Sequence, residues 1–120
     1  MFARWILPLN SKGIKQIWQN RAMNREQVIA MLRQHEPEIK AAGVARLSLF
    51  GSTARGDRRP DSDIDLLAVF DDTRRISLLD VAGIEIQLSE LLGQQVDLVE
   101  EGTLKPRMRI SVDAEAVRAF

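Results

Sequence analysis

A Gly-Ser pair and an Asp-x-Asp pair stand ten residues apart in this chain, and each pair adjoins an apolar run. Gly51 and Ser52 follow the first run, and Asp63 and Asp65 open the second. Short apolar runs bounded by glycine and charged residues favour strands. We therefore predict a strand that turns sharply into a helix at Gly51, and a second strand that begins with the two aspartates.

These four residues predict a site for a metal ion and a phosphate group. Free backbone N–H groups at the start of a helix attract phosphates. Side chains two apart on a strand share a face, so Asp63 and Asp65 are expected to point the same way. Two carboxylates about 4 Å apart repel each other by roughly 4 kcal/mol at an effective dielectric constant near 20. A bound Mg²⁺ would relieve this repulsion and bridge to the phosphates of a nucleotide.

With this spacing the chain resembles the nucleotidyltransferase superfamily, whose signature is Gly-Ser, about ten residues, then Asp-x-Asp. The Gly-Ser-x-Ala-Arg-Gly opening and the small size are most similar to the minimal nucleotidyltransferases (MNT), the antitoxin half of bacterial HEPN–MNT toxin-antitoxin pairs. The resemblance covers about residues 23–120. It implies an α/β (α+β) nucleotidyltransferase fold with a small mixed β-sheet flanked by helices.

The resemblance also implies an activity and a fuller site. A third aspartate completes the metal site in this family, and Asp97, embedded in an apolar segment, is the match here. Asp63, Asp65 and Asp97 are then expected to be both catalytic residues and ligands for two Mg²⁺ ions. Gly51 and Ser52 would hold the triphosphate of ATP. The implied reaction places AMP on a hydroxyl, implied to be a tyrosine, of a partner HEPN ribonuclease toxin and silences it.

Some functional questions stay open at this point. Arg55 either contacts the nucleotide phosphates or pins its loop to a carboxylate. An antitoxin that acts by occlusion alone, and a small-molecule nucleotidyltransferase, are the alternative functions. A Walker-type ATPase is excluded, because the Gly-Lys-Ser/Thr that should close a P-loop is replaced by Gly56-Asp57-Arg58.

The composition of the chain bears on its location and on the partners that it can bind. The chain has no cysteine, which fits a reducing, cytoplasmic location. Its formal net charge of zero argues against direct nucleic-acid binding through a basic face. It contains no run of 18 apolar residues, so no membrane span is expected.

Residues 1–22 differ from the rest of the chain. They carry four basic residues and no acidic residue, whereas residues 23–120 carry 13 basic and 17 acidic residues, a net charge of −4. We therefore expect two parts, an added N-terminal extension (1–22) and a minimal nucleotidyltransferase domain (23–120). The extension is either a product of an upstream start or of cloning, or a functional arm.

The remaining pattern alternates between helices and strands. An apolar stripe at helical spacing predicts one helix from Asn24 to the residue before Gly43. The other predicted elements are strands over 44–50, 63–70, 95–100 and 116–120, and helices over 76–92 and 103–115.

Overall fold

The computed structural model describes residues 23–57, 59 and 62–120, so the predicted extension lies outside the described residues. The helices are α1 (Arg25–Gln34), α2 (Glu36–Ala41), α3 (Gly51–Arg55), α4 (Leu78–Leu92) and α5 (Pro106–Glu115). The strands are β1 (Val44–Leu49), β2 (Ile64–Phe70), β3 (Val96–Glu100) and β4 (Val117–Arg118), with a 3₁₀ turn at Glu101–Thr103.

The four strands form one mixed sheet in the order β3-β2-β1-β4. β1 pairs antiparallel with both β2 and β4, whereas β2 and β3 run parallel. Parallel neighbours need a crossover connection, and α4 supplies it between β2 and β3. The predicted small mixed sheet flanked by helices is therefore confirmed.

One face of the sheet carries the core. Ile64, Leu66 and Ala68 of β2 are fully buried, and the register places Leu47 and Leu49 of β1 on the same face. Burial of a leucine or isoleucine side chain contributes about 1.5–3 kcal/mol relative to exposure, so this face fixes the register. The other core residues from α1, α2 and α4 are Val28, Leu32, Ile39, Ile84, Leu88, Leu91 and Leu92.

The single helix predicted to end before Gly43 is wrong, because the structure has two helices that meet at His35. His35 has φ −107° and ψ 18°, outside the helical region. Pro37 has no N–H to continue the hydrogen-bond ladder, and in a continuous helix its ring would clash with the carbonyl group four residues earlier. Proline is tolerated in a first turn, so a new helix starts at Glu36. The apolar stripe continued across this break and concealed it.

The C-terminal predictions are right in type but too long. The helix predicted over 103–115 begins only at Pro106, whose fixed φ suits a first turn, because Thr103 ends a 3₁₀ turn and Leu104 and Lys105 are extended. The predicted strand over 116–120 shortens to Val117–Arg118, which pairs with Ser48 and Leu49. The helix predicted over 76–92 begins at Leu78 and ends before Gly93, as expected for a left-handed C-cap.

Candidate nucleotidyl-transfer site

The Gly-Ser turn is tied to β2 at Asp65. Phe50, the last residue before α3, donates its backbone N–H to the carbonyl oxygen of Asp65 at 3.2 Å. The backbone N–H of Asp65 in turn donates to Thr53 Oγ1 at 2.9 Å. Both polar groups of the Asp65 backbone are thus bonded to the turn, which fixes the start of α3 beside this carboxylate.

Gly51 is required at the turn for two reasons. Its φ is +60°, in the left-handed region that favours glycine. A Cβ atom at this position would also lie 3.0 Å from Asp65 Oδ2, which is closer than ordinary van der Waals contact. The predicted sharp strand-to-helix turn is confirmed, and the turn comes directly against the carboxylate.

Asp65 and Asp97 occupy the same register position on the parallel strands β2 and β3. Paired residues on adjacent strands share a face, and adjacent strands lie about 4.8 Å apart. Asp65 stands between Ile64 and Leu66, both fully buried, so the two aspartates are on the face opposite the core. The structure therefore brings together Gly51, Asp65 and Asp97 from three different elements.

Asp63 lies just outside the strand that was predicted to contain it. β2 begins at Ile64, and the Asp63 side chain is exposed. Within residues 23–57, 59 and 62–120, no group of three or more His, Cys, Asp or Glu side chains is arranged to hold a metal ion. The trio of Asp63, Asp65 and Asp97 thus stays a prediction as a metal site.

The residues nonetheless suit a magnesium ion. Carboxylate oxygens are the ligands that this hard cation prefers. The absence of a side chain at Gly51 keeps the Asp65 carboxylate from being covered on that side. Asp63 and Asp97 are both exposed, so their carboxylates are accessible from solvent.

Arg55 is bonded to carboxylates in this structure. Its Nε donates to Asp57 Oδ2 at 3.2 Å, and its Nη1 donates to Glu115 Oε1 at 3.1 Å. The bond to Asp57, followed by the neighbouring charges, raises the pKa of Arg55 above its ordinary value. The structure thus shows the loop-pinning contact that was one of the two alternatives for Arg55. Its contact with nucleotide phosphates stays a prediction.

Thr53 is a site residue that the sequence reasoning missed. It is buried, and its hydroxyl accepts the Asp65 N–H described above. Its position directly after the Gly-Ser pair was the available signal, because a hydroxyl in the first turn of α3 can reach a neighbouring strand. It could not be assigned without knowing which strand lies beside that turn.

Comparison with known proteins decides the family. A family model described as a nucleotidyltransferase domain matches residues 32–119, which include every candidate site residue. The chain belongs to the nucleotidyltransferase family. The predicted enzyme class is therefore confirmed, and this chain is a nucleotidyltransferase.

Relatives place this nucleotidyltransferase more closely. It is 37% identical to the protein adenylyltransferase MntA of Thermococcus cleftensis over 93 aligned residues. The alignment covers 77% of this chain and 92% of that protein. A solved structure named as a minimal nucleotidyltransferase shares 41% identity, with a TM-score of 0.68 over 79% of this chain and 95% of that one. The resemblance to minimal nucleotidyltransferases and the predicted fold are confirmed.

A more distant solved structure has the same fold. It is a complex of a tri-AMPylated Shewanella oneidensis HEPN toxin with an MNT antitoxin. The match has 20% identity and a TM-score of 0.51, and it covers 88% of this chain and 71% of that one.

Proposed function

We propose that this nucleotidyltransferase is an antitoxin that transfers AMP from ATP to a hydroxyl group, on a tyrosine, of a partner HEPN toxin. The observation that carries this proposal is the position of Asp65, which lies beside Gly51 and is the register partner of Asp97 on the neighbouring strand. Two relatives support it: one is named a protein adenylyltransferase, and the other is complexed with an AMPylated toxin. Residues 1–120 contain no tyrosine, so a tyrosine acceptor must lie outside them.

Each part of the site has its own role in the proposed reaction. The turn at Gly51 and Ser52 would hold the triphosphate, with the N–H groups of its first turn and the Ser52 hydroxyl as donors. Asp97 would accept the proton of the attacking hydroxyl. A new bond then forms between that oxygen and the α-phosphorus, the bond from the α-phosphorus to pyrophosphate breaks, and the turn retains the pyrophosphate until it leaves.

Asp63, Asp65 and Asp97 are the residues that would hold magnesium. When bound, the metal would neutralise negative charge on the phosphates and orient the attacking and leaving oxygens. Arg55 would reach the phosphates only by exchanging its present bonds to Asp57 and Glu115.

The exposed face of α4 is the proposed contact for the partner. Leu78, Leu79 and Ile86 are 88%, 84% and 61% exposed, although the opposite side of the same helix is packed into the core. Leu79 and Ile86 are two helical turns apart and so lie on one face of α4, and apolar side chains exposed on one face mark protein interaction sites. The net charge of −4 on residues 23–120 favours a basic partner, because opposite charges speed association and suppress wrong docking poses.

None of the described helices is long and apolar enough to cross a membrane. A cytoplasmic location, where ATP and a ribonuclease target are both available, is part of the proposal.

The test is intact mass spectrometry of the chain mixed with ATP, Mg²⁺ and a HEPN protein encoded beside its gene. We expect the HEPN protein to gain one or more AMP units, and Asp65→Asn to abolish the gain. Asp72→Asn is the matched control, because Asp72 is exposed and follows the opposite end of β2. Neutralisation of the toxin by Asp65→Asn with no added mass would support occlusion instead. Added mass on a serine or threonine of this chain alone would also contradict the proposal.

A further inference from the structure

Asp97 lies on a strand that needs support from outside the sheet. Within the part of the chain that the structure describes, β3 is an edge strand, paired with β2 on one side. The outward N–H groups of an edge strand have no ladder partner and bind water or other groups instead. Asp65, by contrast, lies on β2, which has neighbours on both sides. The geometry of the proposed carboxylate pair therefore depends mainly on how firmly β3 is held.

Two side chains of α4 bind the outer edge of β3 on either side of Asp97. Glu85 Oε2 accepts the backbone N–H of Leu98 at 2.9 Å, and Ser89 Oγ accepts the backbone N–H of Val96 at 3.1 Å. Both bonds are partly buried. The two N–H groups directly flanking Asp97 on this edge are thus satisfied by one helix.

The spacing of the two elements explains why both bonds form together. Four residues of a helix rise about 6.0 Å, and two residues of a strand rise about 6.6 Å, so positions i and i+4 of α4 match alternate residues of β3. Gly93, with φ +69°, reverses the chain between them. Glu85 therefore faces the later residue of the strand, and Ser89 the earlier one.

We propose that Glu85, assisted by Ser89, is a positioning residue for Asp97 in nucleotidyl transfer. This inference rests on the proposed function. Glu85 acts on the peptide group that joins Asp97 to Leu98, so its loss would leave Asp97 on a looser edge strand while the Gly51 turn, tied to Asp65, stays unchanged. Asp97 is the proposed proton acceptor, so the effect falls on the chemical step.

The test compares Glu85→Ala, Glu85→Gln and Ser89→Ala with Glu90→Ala, an exposed glutamate on the same helix. Glu85→Gln keeps an oxygen that can accept the Leu98 N–H. We expect Glu85→Ala to lower kcat for AMP transfer about tenfold with KM for ATP changed less than twofold. Glu85→Gln should restore kcat to within twofold, and Glu90→Ala should match the wild type. If the wild-type protein transfers AMP and Glu85→Ala has the same kcat, the inference is overturned.

A second measurement needs neither ATP nor the partner. In the wild type, Mn²⁺ should broaden the backbone amide resonances of Asp65 and Asp97, and the Leu98 amide should exchange slowly with solvent. In Glu85→Ala we expect faster Leu98 exchange and weaker Mn²⁺ broadening at Asp97. Faster Leu98 exchange with unchanged Mn²⁺ broadening would show that Glu85 merely covers the sheet edge, and would overturn the inference even if the wild type transferred no AMP.

Discussion

Gly51 and Asp65 are so close that the space beside the Asp65 carboxylate exists only because residue 51 has no side chain. A Cβ atom at Gly51 would lie 3.0 Å from Asp65 Oδ2. The same glycine has φ +60°, so the backbone of the turn and the room for the carboxylate depend on one residue.

We expect Gly51→Ala to reduce both stability and AMP transfer. The left-handed backbone costs an alanine about 1–2 kcal/mol, and the added methyl group must displace the Asp65 carboxylate. Gly56→Ala is the matched control, because Gly56 has φ +81° but only its chain neighbours lie within 4 Å of the place that a methyl group would take. Urea unfolding should show a similar backbone cost in both variants, whereas the transfer rate should fall at least tenfold only in Gly51→Ala. Equal transfer rates in the two variants would contradict the proposed role of this contact.

The local part of the site could be predicted from the sequence, and the non-local part could not. The spacing from Gly51-Ser52 to Asp65 correctly predicted a strand, a sharp turn and a second strand, because turn and strand preferences are encoded locally. The pairing of Asp65 with Asp97 depends on which strands become neighbours, and only the resemblance to a known family suggested it.

Two features of the structure were not predicted from the sequence. The break at His35 was concealed because apolar residues kept a helical period across it, although Pro37 was visible in the sequence. The bond from the Leu98 N–H to Glu85 joins residues 13 positions apart and follows from the packing of α4 on β3. No periodicity in the sequence distinguishes Glu85 from Glu90, the exposed glutamate on the same helix.

ATP binding should require a divalent metal. The aspartates at the site would repel a triphosphate in the absence of a cation, because like charges a few ångströms apart repel strongly at low dielectric. We expect calorimetry to show heat of ATP binding with Mg²⁺ or Mn²⁺ and little heat in excess chelator. Asp72→Asn should behave like the wild type in both conditions. The same affinity with and without metal would argue against the proposed site.

The start of α4 should contribute a pH-dependent part of the stability. The backbone N–H and hydroxyl of Ser77 donate to Asp80 Oδ2 at 2.9 and 3.0 Å, and these bonds hold the pKa of Asp80 below its ordinary value of 3.8. Because the pKa is lower in the folded state, the carboxylate stabilises the fold above pH 3.8, and this contribution is lost as the pH falls through the folded-state pKa.

Asp80→Asn should therefore weaken the dependence of unfolding free energy on pH in the range below 3.8. Ser77→Ala should cost about 1 kcal/mol at neutral pH. It should also give an intermediate pH dependence, since the backbone donor remains. Urea unfolding midpoints of the three proteins, measured across this range, check the prediction. Identical slopes in all three would show that the capping bonds do not govern the acid response.

The exposed face of α4, formed by Leu78, Leu79 and Ile86, should bind the partner. Burial of a leucine as exposed as Leu79 is worth about 1.5–3 kcal/mol. We therefore expect Leu79→Asp and Ile86→Asp each to raise the Kd for the HEPN protein at least tenfold. Both side chains are more than half exposed, so the variants should keep the wild-type melting temperature.

Ile110→Asp is the matched control, because Ile110 is 76% exposed on α5. Calorimetric titration of each variant with the HEPN protein measures the change. Weaker binding by Ile110→Asp, with Leu79→Asp unaffected, would move the contact to α5, whereas wild-type affinity in all three would remove both helices from the interface.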